Sequence, residues 1–180
     1  AKTARGITDG MRYAHYGEKE REIIRRAVSQ YADYAGRIFI EEGIGDIDVT
    51  RIRERIARHI DMTGNKPVVI VDYLQIIAPY SERATDKQNM DKTVLELKRI
   101  SRDLKLPLLA VSSLNRMSYG QKISMEAFKE SGAIEYSSDV LIGLQLRGAG
   151  ETGFEPTEAK KKNPREIEAV ILKHRNGQVG

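Results

Sequence analysis

The sequence feature that most constrains the fold is a continuous apolar run that ends in an acid. Residues 67–72 read Pro-Val-Val-Ile-Val-Asp. Such a run predicts a strand covered on both faces, as in a parallel sheet. A second run, at 108–112, reads Leu-Leu-Ala-Val-Ser and follows a proline that ends the preceding helical pattern. The chain is therefore expected to fold around a buried sheet with helices packed on its faces.

Helical periodicity predicts three helices around these strands, at 18–35, 48–62 and 87–105. Gly36 marks the end of the first helix, and Pro107 follows the third. Each helix carries one apolar stripe that we expect to face inward. The residues of these stripes are Ile24, Ala27, Val28, Tyr31 and Ala35, then Val49, Ile52, Ile56 and Ile60, then Met90, Val94, Leu97, Ile100 and Leu104.

Three further strands complete the predicted fold. Residues 37–41 read as a short strand, and 139–146 and 166–173 read as two longer ones. No helical pattern separates the last two, so we expect them to be antiparallel, with 147–165 as a surface loop. The prediction is an α/β fold with a mostly parallel sheet and flanking helices. A helical segment, 1–36, would lead into a single domain, 37–180.

Composition limits the classes of protein to consider. The chain has 180 residues, 40% hydrophobic, with 30 Lys and Arg against 26 Asp and Glu and no cysteine. That fits one folded domain and excludes disulfide scaffolds, thiolate nucleophiles and cysteine zinc sites. No apolar run approaches the roughly 20 residues of a membrane span, and no leader is visible, so we expect a cytoplasmic protein. We also expect Ala1 and Gly180 to be cuts within a longer protein.

Four polar clusters lie at strand ends or in the loops between strands, where open α/β sheets place ligand contacts. The clusters are 72–75, 112–116, 128–135 and 173–177. Asp72 has the position of the acid that holds magnesium in nucleoside-triphosphate hydrolases, because Mg²⁺ takes oxygen ligands. Taken alone, a strand that ends in an acid is common and needs no ligand.

Together the clusters resemble the RecA-like motor domain of DnaB-type replicative DNA helicases. The matching segments are VVIVDYLQII at 68–77, LLAVSSLNR at 108–116, FKESGAIEYSSDV at 128–140 and ILKHRNGQVG at 171–180. They occur in the order of the family and with its approximate spacing. The resemblance covers most of 37–180, whereas 1–36 is only loosely similar.

The resemblance implies a nucleotide site for ATP with Mg²⁺ in the intact parent protein. Asp72 would be the magnesium-organising acid, and Gln75 and Ser113 would also contact the nucleotide. Lys173 and Arg175 would reach the nucleotide of a neighbouring subunit and stabilise charge on its γ-phosphate, Arg175 as an arginine finger. Arginine suits this role because its planar fork matches phosphate oxygens and keeps its charge.

The same resemblance implies a single-stranded DNA contact and an oligomer. Lys129, Glu130 and Gly132 match the loop that holds the DNA backbone in the central channel, and Arg116 is a further candidate. Glycine lets the main chain approach closely, and lysine offers a phosphate contact. The parent would be a hexameric ring, with a primase or a helicase loader as a possible partner. The net charge of +4 permits nucleic acid without requiring it.

The sequence departs from the family pattern in several places. Ser113 stands where the family usually has glutamine, and Tyr73 rather than a second acid follows Asp72. No Gly-x-x-x-x-Gly-Lys-Ser/Thr motif occurs, so the loop that cradles phosphates is missing from these residues. The catalytic glutamate of the family would lie upstream of Ala1. We therefore expect this span by itself to lack the main docking site for ATP and not to hydrolyse ATP.

Other interpretations stay open at the sequence level. The chain could be a catalytically inactive RecA-like module that binds DNA or partner subunits, or an ATPase of the RecA or RadA type. Lys173 and Arg175 could be exposed charges that follow a strand. Asp46 and Asp48 have the spacing of a phosphotransferase pair, but no buried strand precedes them, and acids before a helix are expected as caps.

Overall fold

The computed structural model describes residues 16–43, 46–115, 118, 120–128 and 132–179. The chain divides into two compact units, 1–42 and 43–180. None of the described helices is long and apolar enough to cross a membrane.

The first unit contains helix α1, Glu18–Ala35, which confirms the first predicted helix. The carboxylate of Glu20 accepts a hydrogen bond from the Gly17 N–H at 3.2 Å, at the end of the helix where N–H groups lack partners. Ile24 is buried, but Val28 and Tyr31 are about half exposed, so part of the predicted inward face is not covered.

The predicted strand at 37–41 is wrong, because these residues form no strand. An apolar run becomes a strand only where a neighbouring strand pairs with its backbone. In the described residues, the two pairs of strands lie elsewhere, between 69 and 174. The side chains of Phe39 and Ile40 are mostly exposed.

Two long helices of the second unit were predicted within one residue of their observed bounds. Helix α2 spans Val49–Thr63 and helix α3 spans Asp86–Leu104. The Asp48 carboxylate accepts a hydrogen bond from the Arg51 N–H at 2.8 Å and thereby caps α2, which confirms the structural interpretation of this acid.

The predicted strands 67–72 and 108–112 form a short parallel ladder. Strand β1, Val69–Val71, pairs with strand β2, Leu108–Ala110, and α3 lies between them in the chain. Leu97 and Ile100 of α3 lie in the core, with Val69, Val71 and Leu108 packed against the same cluster. Ile70 and Leu109 point the other way and are 64% and 56% exposed. Burial on both faces was therefore predicted wrongly, because the described residues cover only one face of this ladder.

Strand β3, Val140–Leu146, pairs with strand β4, Ile167–His174, and the pair is antiparallel as predicted. In the described residues the four strands form two separate two-stranded sheets. The α/β class is confirmed. The segment 147–165, predicted to be a loop, contains a short helix, which corrects that prediction. The shorter helices are α4, Gly132–Ser137, and α5, Pro156–Lys161, with 3₁₀ turns at Leu74–Ile76 and Met125–Phe128.

Candidate functional site

The carboxyl ends of β1 and β2 lie side by side and carry two of the predicted clusters. Asp72 follows β1 directly and is exposed. The 3₁₀ turn that follows is fixed to the end of the second strand, because the Leu74 N–H donates to the Val111 carbonyl at 2.9 Å. Parallel pairing therefore places Asp72 and the Ser112–Ser113 pair at the same edge of the sheet.

Gln75 joins the two clusters through its side-chain amide. Its Nε2 donates to Ser112 Oγ at 3.0 Å, and its Oε1 accepts from the Ser113 N–H at 3.2 Å. Both ends of the amide are therefore used, which fixes the orientation of the side chain. The structure brings the predicted nucleotide residues Gln75 and Ser113 into direct contact.

A small cavity of about 10 Å³ lies beneath this amide, with room for about one water. Its walls come from both strand ends and from the segments on either side of residues 129–131. The lining residues are Gln75, Met90, Ser112, Ser113, Asn115, Ala127, Phe128 and Ile134. Phe128 and Ile134 are buried. The strand ends are thus packed against the two flanks of the predicted DNA loop.

Lys173, near the end of β4, contacts the carboxyl end of α4. Its Nζ donates to the Glu135 carbonyl at 2.6 Å and lies 3.4 Å from the Tyr136 carbonyl. Carbonyls at a helix end lack partners within the helix and carry partial negative charge, so a lysine is favourable there. α4 begins at Gly132, the one residue of the predicted DNA loop that is described.

Arg175 is paired with Asp139, the residue that precedes β3. Its Nη1 lies 3.0 Å from Asp139 Oδ1, and its backbone N–H donates to the Asp139 carbonyl at 2.9 Å. The other carboxylate oxygen accepts from Lys98 Nζ on α3 at 2.5 Å. The hydrogen bond from Lys98, with the nearby charges of Lys98, Arg175 and Lys173, holds the pKa of Asp139 below its ordinary value.

His174 lies between these two cations and is packed against the following turn. Its Nδ1 is buried and has no hydrogen-bond partner among the described residues. A Cβ at Gly177 would lie 2.5 Å from this atom, which is closer than side-chain contacts allow. Glycine at 177 therefore lets the chain turn tightly over the imidazole ring.

Five of the predicted site residues fall into two groups, and a sixth, Gly132, begins α4. One is Asp72, Gln75 and Ser113 at the first sheet, and the other is Lys173 and Arg175 at the second. No contact joins Asp72 to either cation in the described part of the chain. Arg116, Lys129 and Glu130 lie outside the described residues, so their predicted DNA contacts stay predictions.

A larger cavity, of about 350 Å³, lies between α2 and α3 and contains none of the predicted site residues. Two of its cations already have partners. Lys92 pairs with Glu96 at 3.0 Å, and Arg53 pairs with Asp103 at 3.1 Å.

Sequence reasoning did not select Asp139 or Lys98. Asp139 lies within a matched segment, and the antiparallel register sets its carbonyl opposite Arg175. An acid that opens one strand of a predicted hairpin, with cations near the end of the other strand, is a usable signal for such a pair. Lys98 gives no comparable signal, because it is one of several charges on the outer side of α3.

The fold is that of the RecA-like domains. The family model described as "DnaB-like helicase C terminal domain" matches residues 7–180. The chain belongs to this family.

Two relatives illustrate the similarity in sequence. The chain is 32% identical over 148 residues to the replicative DNA helicase DnaC of Bacillus subtilis. This alignment covers 79% of the chain and 30% of that protein. It is 31% identical over 137 residues to the replicative DNA helicase DnaB of Leifsonia xyli, covering 73% and 28%. The chain thus spans about 30% of the length of the curated relatives it matches.

Solved structures show the same fold. A DnaB-like replicative helicase, described with its interactions with primase, superposes with a TM-score of 0.73 at 21% identity, over 92% of this chain and 38% of that one. A second solved structure, described as an ATPase domain, superposes with a TM-score of 0.75 at 21% identity. The superposition covers 98% of this chain and 60% of that one.

Proposed function

We propose that the chain is part of the motor domain of a hexameric, ATP-driven replicative DNA helicase that translocates on single-stranded DNA. The observation that carries this proposal is the position of Lys173. Its ammonium group, assigned to a neighbour's nucleotide, contacts the end of the helix that begins at the predicted DNA loop. A residue proposed to bind phosphate would therefore act directly on the segment proposed to bind DNA.

The nucleotide would be ATP with Mg²⁺, held in part at the edge of the first sheet. The Asp72 carboxylate is exposed and has no partner among the described residues. This fits Mg²⁺, which is usually held by one or two carboxylates together with phosphate oxygens and water. When bound, the ion would neutralise charge on the phosphates. Gln75 and Ser113 would place polar groups beside them.

Lys173 and Arg175 would serve the site of the next subunit. The side chain of Arg175 is exposed and could reach a neighbouring subunit. A finger given to a neighbour requires a second copy of the chain, so we propose a ring of identical subunits, six in the family to which the chain belongs.

Single-stranded DNA would be held by the loop of Lys129, Glu130 and Gly132, with Arg116 nearby in sequence. The proposed target is the phosphate backbone of the DNA, because Lys129 supplies positive charge and Gly132 lets the main chain approach closely. A primase is a proposed partner of the whole protein, because one structural neighbour is described in its interactions with primase.

The test is the DNA-stimulated ATPase of the full-length protein with Arg175→Ala. An arginine finger contributes about 10³-fold or more to kcat, so we expect a loss of at least that size. Arg165→Ala is the matched control, because Arg165 is exposed and contacts only a backbone carbonyl at 160 among the described residues. An unchanged ATPase in Arg175→Ala would refute the finger assignment.

A second candidate is a catalytically inactive RecA-like module that binds DNA or partner subunits. The observation that favours it is Ser113, which is shorter than the glutamine usual in the family and already bonds to Gln75 through its backbone. Binding of single-stranded DNA by the full-length protein, without binding of ATP and Mg²⁺, would select this function.

A further inference from the structure

We propose that Asp139 is a positioning residue for Arg175. Its carboxylate holds the guanidinium group while no phosphate is near, and phosphate takes its place when a neighbour binds nucleotide. This inference rests on the proposed function, in which Arg175 reaches the nucleotide of a neighbouring subunit.

The geometry fixes Arg175 at two points. The backbone hydrogen bond of 2.9 Å anchors the main chain of Arg175 to the residue before β3. The side-chain contact of 3.0 Å then sets the direction of the guanidinium group. Loss of the second contact leaves the first intact, so the side chain can turn to a new partner while its backbone stays in register.

The carboxylate and a phosphate compete for the same donors. Arginine presents its N–H groups in a planar fork that suits either anion. The side chains of Asp139 and Arg175 are 57% and 53% exposed, so an approaching ligand can reach the pair. An exposed ion pair is weak, and a phosphate with more charge can displace it.

Lys98 and Arg175 both interact with the carboxylate of Asp139. Lys98 binds the carboxylate oxygen that Arg175 does not use. If Lys98 is removed, the whole negative charge of Asp139 acts on Arg175, and the hold on the guanidinium group becomes stronger. If Asp139 loses its charge, the hold disappears. The two substitutions therefore have opposite effects on nucleotide binding.

The experiment measures the Kd of the full-length protein for a fluorescent non-hydrolysable ATP analogue with Mg²⁺. Asp139→Asn keeps the size and the backbone of the residue, and we expect Kd to fall about two- to five-fold, the range of one exposed ion pair. For Lys98→Met we expect Kd to rise by a similar factor. A damaged fold would weaken binding in both variants, so a tighter complex in Asp139→Asn identifies positioning.

Three further variants complete the test. Glu158→Gln removes another exposed, ion-paired carboxylate, on α5, and we expect no change in Kd. In the Asp139→Asn background, Lys98→Met should lose its effect. In the Arg175→Ala background, Asp139→Asn should lose its effect.

The outcomes separate the two proposals. An unchanged or raised Kd in Asp139→Asn overturns the role of Asp139, provided that Arg175→Ala alone weakens binding or abolishes ATPase. If Arg175→Ala changes neither, the finger assignment fails, and the inference fails with it.

Discussion

Gly177 shows how closely the end of β4 is packed. The ring of His174 fills the space where a side chain at 177 would lie, with three ring atoms within 3.0 Å of the position of a Cβ. A ring cannot bend away as the end of a flexible chain can, so the ring or the turn must move to admit a methyl group. Arg175 is part of this turn, and Lys173 lies just before it in β4.

We expect Gly177→Ala to lower the free energy of unfolding by about 1–3 kcal/mol, the usual cost of overpacking. Urea denaturation of the chain measures the change. Gly120→Ala is the control, because a Cβ there would meet its nearest neighbour at an ordinary 3.5 Å. Equal stability of the two variants would contradict the close packing of Gly177 on His174.

Lys173 near the end of β4 and Arg175 just after it show what residue types alone can predict. Their motif indicated that Lys173 and Arg175 are functional candidates, and this assignment stays a prediction. Their partners, the Glu135 carbonyl and Asp139, could not be predicted from residue types. Those contacts depend on the register of a hairpin whose strands are separated by 20 residues, from 147 to 166.

The helices were predicted better than the strands. The stripes of α2 and α3 repeat over four or five turns, and their caps, Asp48 and Thr85, are local in sequence. A strand forms only when it pairs with a second strand, and the local sequence does not show which segment that is. Residues 37–41 have the composition of a strand but no pairing, and the alternate residues of β1 and β2 are exposed because no described element covers them.

The Asp48 cap stabilises the first turn of α2. Asp48→Ala removes the acceptor for the Arg51 N–H, and we expect the free energy of unfolding to fall by about 1 kcal/mol. Asp46→Ala is the matched control, because the Asp46 carboxylate is exposed and 3.9 Å from its nearest cation. The measurement is urea denaturation, and a larger loss in Asp46→Ala would contradict the capping role.

Three carboxylates of the second unit make the free energy of unfolding depend on pH in the acid range. Hydrogen bonds from Lys92, Arg102 and Lys98 lower the pKa values of Glu96, Asp103 and Asp139, respectively. A carboxylate with a lowered folded-state pKa stabilises the fold above its unfolded pKa. That stability is lost as pH falls through the folded value.

We therefore expect the free energy of unfolding to be level from neutral pH to about 4.5 and to fall below that, since the ordinary values are 4.5 and 3.8. Asp139→Asn should be less stable than the parent at pH 7, and the difference should close in acid. Urea denaturation between about pH 7 and pH 2 measures both. A difference that persists at the lowest pH would show that charge is not the source of the stability.

Through its contact with the end of α4, Lys173 would couple nucleotide binding in the neighbouring subunit to DNA binding on the loop. Coupling between two binding equilibria is reciprocal. If phosphate in a neighbouring subunit draws Lys173 away from α4 and changes the affinity of the loop for DNA, then DNA on the loop changes that neighbour's affinity for nucleotide by the same factor. Lys173 would then transmit the effect of DNA binding to the neighbouring nucleotide site as strongly as it transmits the effect of nucleotide binding to the DNA loop.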